Sequence, residues 1–261
     1  MLRQFAPRGV NRALEWKARF EAIGFDAAKA WRAALSKQMR AALVDSRVEH
    51  IPATLRTSLP LVIDIGANIG QWISAFMMFA SVGRIEAFEP NPEVFELLRG
   101  RLGNRPDTHL HQFALGEEQA TSVLNITQGS GLSSLLVPSD TIRVQYAPSA
   151  EIVRQLPVRV VPLDQALTGE TIVDLMKIDV QGFEHSVLRG ARETLKRTRA
   201  VLIETNFVSH YVGDGSFGSL FNHLTEIGFD FWDVSSPYRG KEAQALWADA
   251  VFINPELAHA S

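Results

Sequence analysis

Leu61-Val62-Ile63-Asp64-Ile65-Gly66-Ala67-Asn68-Ile69-Gly70 reads as a buried strand running into a glycine turn. A helix-forming run over 71–80 follows. A second strand, Arg84-Ile85-Glu86-Ala87-Phe88-Glu89, then ends on a carboxylate 19 positions after Gly70 and leads into Pro90-Asn91-Pro92. Strand, glycine turn, helix, strand and terminal acid together make a nucleoside-binding βαβ unit. Gly66 and Gly70 are expected to leave backbone free of Cβ atoms where a ligand comes close, and Glu89 to accept both ribose hydroxyls.

The spacing separates two chemistries. A dinucleotide site needs G-x-G-x-x-G to seat a pyrophosphate on the helix N-terminus, whereas here the glycines are spaced G-x-x-x-G. Asp64 stands two residues before the turn, where it repels a pyrophosphate but suits the cationic amine of a methionine moiety. S-adenosylmethionine carries that amine and no phosphate. A short-chain dehydrogenase needs a Tyr four residues before a Lys, and none of Tyr146, Tyr211 or Tyr238 has one. A nicotinamide site and a vestigial Rossmann-like domain remain the competing readings.

With 261 residues, 46% of them hydrophobic, the chain suits one α/β domain plus an appendage. Zero cysteines remove disulfides, thiolate nucleophiles and cysteine-ligated zinc. No apolar stretch is long enough to span a bilayer and no signal-peptide pattern opens the chain, so a soluble, cytoplasmic protein is expected. Charge is uneven: residues 1–56 hold 11 Lys and Arg against 5 Asp and Glu, while the remainder holds 15 against 24. This gives a helical N-terminal extension over 1–56 and a catalytic domain over 57–261. The basic arm, with Trp16, Phe20, Phe25 and Trp31 interleaved, is suited to capping the domain, to peripheral contact with an anionic membrane, or to RNA.

Along the domain the pattern predicts helices over 71–80, 93–102, 163–167, 183–197 and 217–227. It predicts strands over 109–115, 121–126, 158–161, 174–180, 200–204, 231–234 and 250–253. Residues 128–156 read as a mobile loop over the site. Strands alternating with helices mean a doubly wound, mostly parallel sheet with its ligands at the carboxyl ends of the strands. The last two strands have no helix between them, so the final one is expected to be antiparallel, as in the class I methyltransferase (Rossmann-like) fold.

The chain resembles the FkbM-type methyltransferase family. The resemblance is carried by the two segments above together with Ala114-Leu115-Gly116, Ser133-Ser134-Leu135, Lys177-Ile178-Asp179-Val180-Gln181-Gly182-Phe183-Glu184 and Asp249-Ala250-Val251-Phe252. It covers about 60 to 254, and the Lys177–Glu184 motif is its most specific part. It implies S-adenosylmethionine-dependent O-methylation of a hydroxyl on a sugar, a surface glycan or glycolipid, or a natural product.

Methyl transfer needs a positioned nucleophile, helped by a base or a metal ion. Asp179 is the first candidate base, with helix capping as its structural alternative. Glu204 and Asn206 at the next strand tip are expected to join it as oxygen ligands of Mg²⁺, or Glu204 to orient the acceptor. His210, beside Tyr211, is a candidate proton acceptor or a solvated loop histidine, and His185 lies near the predicted rim. Glu184 is divided between a helix-start role and a functional one. For the cofactor, Asp64 and Gly66 are placed near the methionine moiety, Asn68 at the turn and Glu89 on the ribose. Pro90 and Asn91 are assigned to the adenine edge, Ala114 and Leu115 to its apolar face, and Asp179 to the methyl end. Two rivals remain: an RNA methyltransferase, disfavoured by the acidic body and the lack of an Asn-Pro-Pro-Tyr type motif, and a non-catalytic S-adenosylmethionine-binding module.

Overall fold

In the computed structural model, the residues described are 41, 44–56, 58–240 and 242–258. Expectations for Trp16, Phe20, Phe25, Trp31 and the helices before residue 41 lie outside them. Strands β1 (Ser58–Ile65), β2 (Ser81–Phe88), β3 (Thr108–His111), β7 (Leu175–Ile178) and β8 (Ala200–Asn206) run parallel in the order β3-β2-β1-β7-β8. Strand β11 (Ala245–Ile253) lies antiparallel beside β8, and on its far side it pairs with β9 (Asp230–Val234) and β10 (Tyr238–Arg239). This is the expected doubly wound sheet with an antiparallel final strand. Its central strands, β7 and β8, are buried throughout, as a sheet covered on both faces requires.

Helix α1 (Gln71–Phe76) follows the glycine turn and α2 (Pro92–Leu102) follows β2. The start of α2 is fixed chemically: Asn91 Oδ1 accepts the Glu93 N–H at 3.1 Å, with Pro92 in the first turn. Short helices α3 (Asp140–Tyr146), α4 (Leu163–Ala166), α5 (Glu184–Arg189) and α6 (Arg192–Lys196) follow, then α7 (Phe217–Glu226) and α8 (Pro255–Ala258). The single helix expected over 183–197 is two, broken where Gly190 packs so closely on Gly116 that a Cβ would sit 1.9 Å from its carbonyl oxygen.

Two further expectations change. The strand foreseen over 109–115 divides: β3 stays in the main sheet, while β4 (Ala114–Leu115) crosses to a second sheet with β6 (Ile152–Val161) and β5 (Ala120–Thr127). The mobile loop foreseen over 128–156 instead holds a 3₁₀ turn (Ser130–Leu132), α3 and half of β6. Its polar composition conceals caps and bridges: Asn125 exchanges backbone hydrogen bonds with Ser134, and Ser139 caps α3. Upstream of β1, Val48, Ile51 and Leu55 are buried in the same cluster as Leu59, Trp72 and Phe76, so residues 48–55 pack as part of the domain core.

Candidate active site

The carboxyl ends of β1, β2, β7 and β8 open into two adjoining cavities. The larger, about 360 Å³, is lined by Gly66, Asn68, Glu89, Pro90, Asn91, Ala114, Leu115 and Asp179, which are all the predicted cofactor residues except Asp64. Phe113 and Val94, which sequence reasoning did not assign, also line it, together with Ser130, Gly131, Ser133, Ser134 and Leu135 of the segment expected over the site. The second cavity, about 300 Å³, is bounded by Asp179, Glu204, His210, Tyr146, Trp247 and Asp249. Asp45, Arg47, Trp72, Gly131, Lys177, Asp179 and Gln181 line both, so the two meet at the tip of β7.

Gly66 also lets the tips of β1 and β7 meet. A Cβ there would lie 1.8 Å from the Asp179 carbonyl oxygen, and the turn needs its φ of +73°. Gly70 likewise packs on Leu98 and Leu102. Glu89 is a receptor for hydrogen-bond donors: its two oxygens accept Asn68 N–H at 3.0 Å and Asn91 N–H at 2.8 Å. Burial still pushes its carboxyl up to about 7 against those bonds.

Asp64 sits beneath this floor, fully buried, with both carboxylate oxygens lacking a hydrogen bond. Its register partner on β7 is Lys177, whose Nζ is 3.6 Å from Asp64 Oδ1 and 3.2 Å from Asp179 Oδ2. Burial alone would depress Lys177, yet the two carboxylates overcome this and hold it above the ordinary lysine range. Burial raises Asp64, with Lys177 only partly opposing. Asp179 is pulled the other way: against the effect of burial, the Lys177 charge and bonds from its neighbours hold it at about 2. Asp179 keeps 34% of its side chain open to the cavities. It is therefore an ionised, cation-paired carboxylate and a weak base, and its side chain does not cap α5.

Gln181, at φ +57°, ties the strand tips together. Its Nε2 donates to Asp179 Oδ1 at 2.7 Å and Glu204 Oε2 at 2.6 Å, and Tyr211 Oη donates to its Oε1 at 2.8 Å. Burial and then the adjacent Asp179 charge raise Glu204 well above the usual range, so it holds a proton beside ionised Asp179. Of the three oxygen ligands expected for Mg²⁺, Asp179 and Glu204 come together while Asn206 is engaged elsewhere. An N–H donor already bridges Asp179 and Glu204, and Asn206 turns to His210; among the described residues no acidic or histidine trio is arranged for a metal. Glu184 accepts the Val180 and Gly182 N–H groups at 3.1 Å, which makes it a brace for the turn after β7.

His210 is buried, contrary to the solvated-loop expectation. Asp214 fixes it: its carboxylate accepts Asn206 Nδ2 at 3.2 Å and His210 N–H at 2.8 Å. With its amide nitrogen so engaged, Asn206 presents Oδ1 to His210 Nδ1, which must carry the proton. Nε2 is then a bare lone pair, and it is buried without any hydrogen-bond partner. Burial lowers the His210 pKa, with Asp214 only partly opposing, so the ring is neutral at pH 7. His185 lines neither cavity and bonds Ser219 Oγ at 2.8 Å.

The site is thus centred on the family motif Lys177–Glu184, which lies in a region, residues 64–231, that matches the Methyltransferase FkbM domain. The chain belongs to the FkbM methyltransferase family. Among its relatives is the 2-O-methyltransferase NoeI of Sinorhizobium fredii, 27% identical over 171 residues, which are 63% of this chain and 70% of that one. Another is the 31-O-demethyl-FK506 methyltransferase FkbM of Streptomyces tacrolimicus, 26% identical over 196 residues, or 65% and 72% of the two chains. The crystal structure of a methyltransferase FkbM from Methylobacillus flagellatus KT has the same fold, with a TM-score of 0.52 at 15% identity over 93% of this chain and 58% of that one. Fold and family support S-adenosylmethionine as the methyl donor of this FkbM methyltransferase. The larger cavity fits such a donor: it offers carboxylates for ribose hydroxyls and a cationic amine, and Lys177, already paired with two acids, is no free phosphate ligand.

A first expected result concerns Glu89. Glu89→Gln should weaken adenosylhomocysteine binding by roughly 1–3 kcal/mol in calorimetry. Because the ionised form accepts ribose hydroxyls, wild-type affinity should fall as pH drops below about 7, and the variant should lose that dependence.

Proposed function

We propose that this chain is an O-methyltransferase that moves a methyl group from S-adenosylmethionine in the larger cavity to a hydroxyl of a small-molecule, glycan or natural-product acceptor in the smaller one. The observation that carries the reading is the buried Nε2 of neutral His210, which has no hydrogen-bond partner, on a residue lining the cavity that joins the donor site at Asp179. The donor supplies an electrophilic methyl on a sulfonium, whose sulfur keeps the bonding electron pair when the hydroxyl oxygen attacks. His210 Nε2 takes the hydroxyl proton, and Asn206 with Asp214 holds the ring in the tautomer that can do so. Asp179 and protonated Glu204 fix the acceptor's orientation. The names of the two relatives, both O-methylation enzymes, support a hydroxyl acceptor.

The test is incubation with labelled methyl donor against hydroxylated acceptors, with and without excess chelator. Label should enter an acceptor hydroxyl, and chelator should leave turnover unchanged, since no step here passes through a metal. Salt-sensitive retention on RNA with label transfer to it would replace this reading.

A further inference from the structure

The family match takes in the donor cavity apart from Asp45 and Arg47, which line both cavities, whereas the acceptor cavity also draws Trp247 and Asp249 from outside residues 64–231. Trp247 and Asp249 are two apart on β11 and share a face. Their register partners on β8 are Asn206 and Glu204, so one strand adds an aromatic surface near the His210 support and a carboxylate beside Glu204. The Trp247 ring stacks on Tyr238 at 5.6 Å, Tyr238 stacks on Tyr146 at 5.8 Å, and Trp247 Nε1 donates to Tyr146 Oη at 3.1 Å. Tyr146 in turn meets His210 edge-on at 6.3 Å. Trp247 and Tyr146 thus form a braced aromatic wall next to the proton acceptor.

The strap before β1 also lines the cavity. Arg47 Nε donates to Asp249 Oδ2 at 2.5 Å, and Trp72 Nε1 donates to the Ser46 carbonyl at 3.0 Å. Four acids line the cavity, Asp45, Asp179, Glu204 and Asp249, against two cations, Arg47 and Lys177, each already paired with a carboxylate. Among the described residues, an anionic acceptor would meet carboxylates and no unpaired cation.

We propose that the acceptor is an uncharged polyhydroxylated ring lying against Trp247 and Tyr146, with its hydroxyls taken up by Asp179, Glu204 and Asp249, and that phosphorylated sugars are rejected. Arg47 is a positioning residue that keeps Asp249 in place. The inference rests on the reading of the smaller cavity as the acceptor site.

The experiment titrates the full chain, loaded with adenosylhomocysteine, with a panel of methyl hexosides and their 6-phosphates, followed by calorimetry. At least one neutral hexoside should bind saturably, its phosphate about tenfold more weakly. Trp247→Ala should weaken the hexoside about tenfold, Trp247→Phe by only about threefold, and neither should alter adenosylhomocysteine affinity. Asp249→Asn should narrow the gap between hexoside and phosphate. Phosphates binding as well as their neutral counterparts, no neutral hexoside binding at roughly 50 mM, or an unaffected Trp247→Ala would overturn the proposal. Failure of the unmodified chain to bind adenosylhomocysteine would overturn the donor reading instead.

Discussion

Replacing His210 with Ala is expected to lower kcat on the order of 10²–10³-fold, the usual contribution of a positioned general base. Donor binding should stay as it was, because His210 lines the acceptor cavity and not the donor cavity. The pH profile gives a sharper reading. Burial lowers His210 from its ordinary value of 6.5, and the neutral ring is the active form. At saturating donor, kcat of the wild type should therefore rise with pH through an acid limb lying below 6.5 and be flat through neutrality. In His210→Ala that limb should vanish. Asn206→Asp would place a negative charge beside Nδ1–H and stabilise the protonated ring, so the limb should move to higher pH. A His210→Ala variant that keeps its limb, or turns over within about threefold of wild type, would assign the proton to another group.

Much of this was legible beforehand because local sequence patterns are set by local physics. The apolar run into Gly66, the acid at Glu89 and the motif Lys177–Glu184 specify strand tips, and in a parallel sheet all strand tips face one ligand. What stayed hidden arises between segments distant in sequence. Nothing in the run around Gly66 says that its missing Cβ accommodates the Asp179 carbonyl, 113 residues later in the chain. Asp64 and Lys177 meet only through the β1–β7 register, and that pairing turns Asp179 from a prospective base into a fixed anion. The role of His210 depends on Asp214 orienting Asn206, a relay across eight residues in which each step is an ordinary loop contact. One signal was available: Asn206, Ser209, His210 and Asp214 concentrate polar groups directly after an apolar strand, the usual place for loops that carry chemistry.

The same register makes Lys177 the position where a single substitution should cost most stability. Lys177→Met removes the cation shared by Asp64 and Asp179 and leaves the Asp64 carboxylate, whose oxygens accept no hydrogen bond, without compensation. Breaking a buried pair in this way costs about 3–5 kcal/mol. For a chain of this size that is roughly a 10 °C fall in Tm. The pH dependence fixes the cause. In the wild type, Asp179 is depressed to about 2, so its stabilisation is present above the ordinary carboxylate range and is lost as pH falls toward that value. Asp64 is raised, so the folded chain binds its proton more readily than the unfolded chain and ionised Asp64 opposes folding at neutral pH. Without Lys177 both carboxyls lie above their unfolded values, and both then stabilise the fold as acid protonates them. The Tm gap between variant and wild type should therefore shrink from pH 7 to pH 5, and Asp64→Asn added to Lys177→Met should recover a large part of it at pH 7. A simple packing defect would behave differently, leaving the gap constant with pH and unrepaired by the second change. That outcome would place the role of Lys177 in its methylene stem rather than its charge.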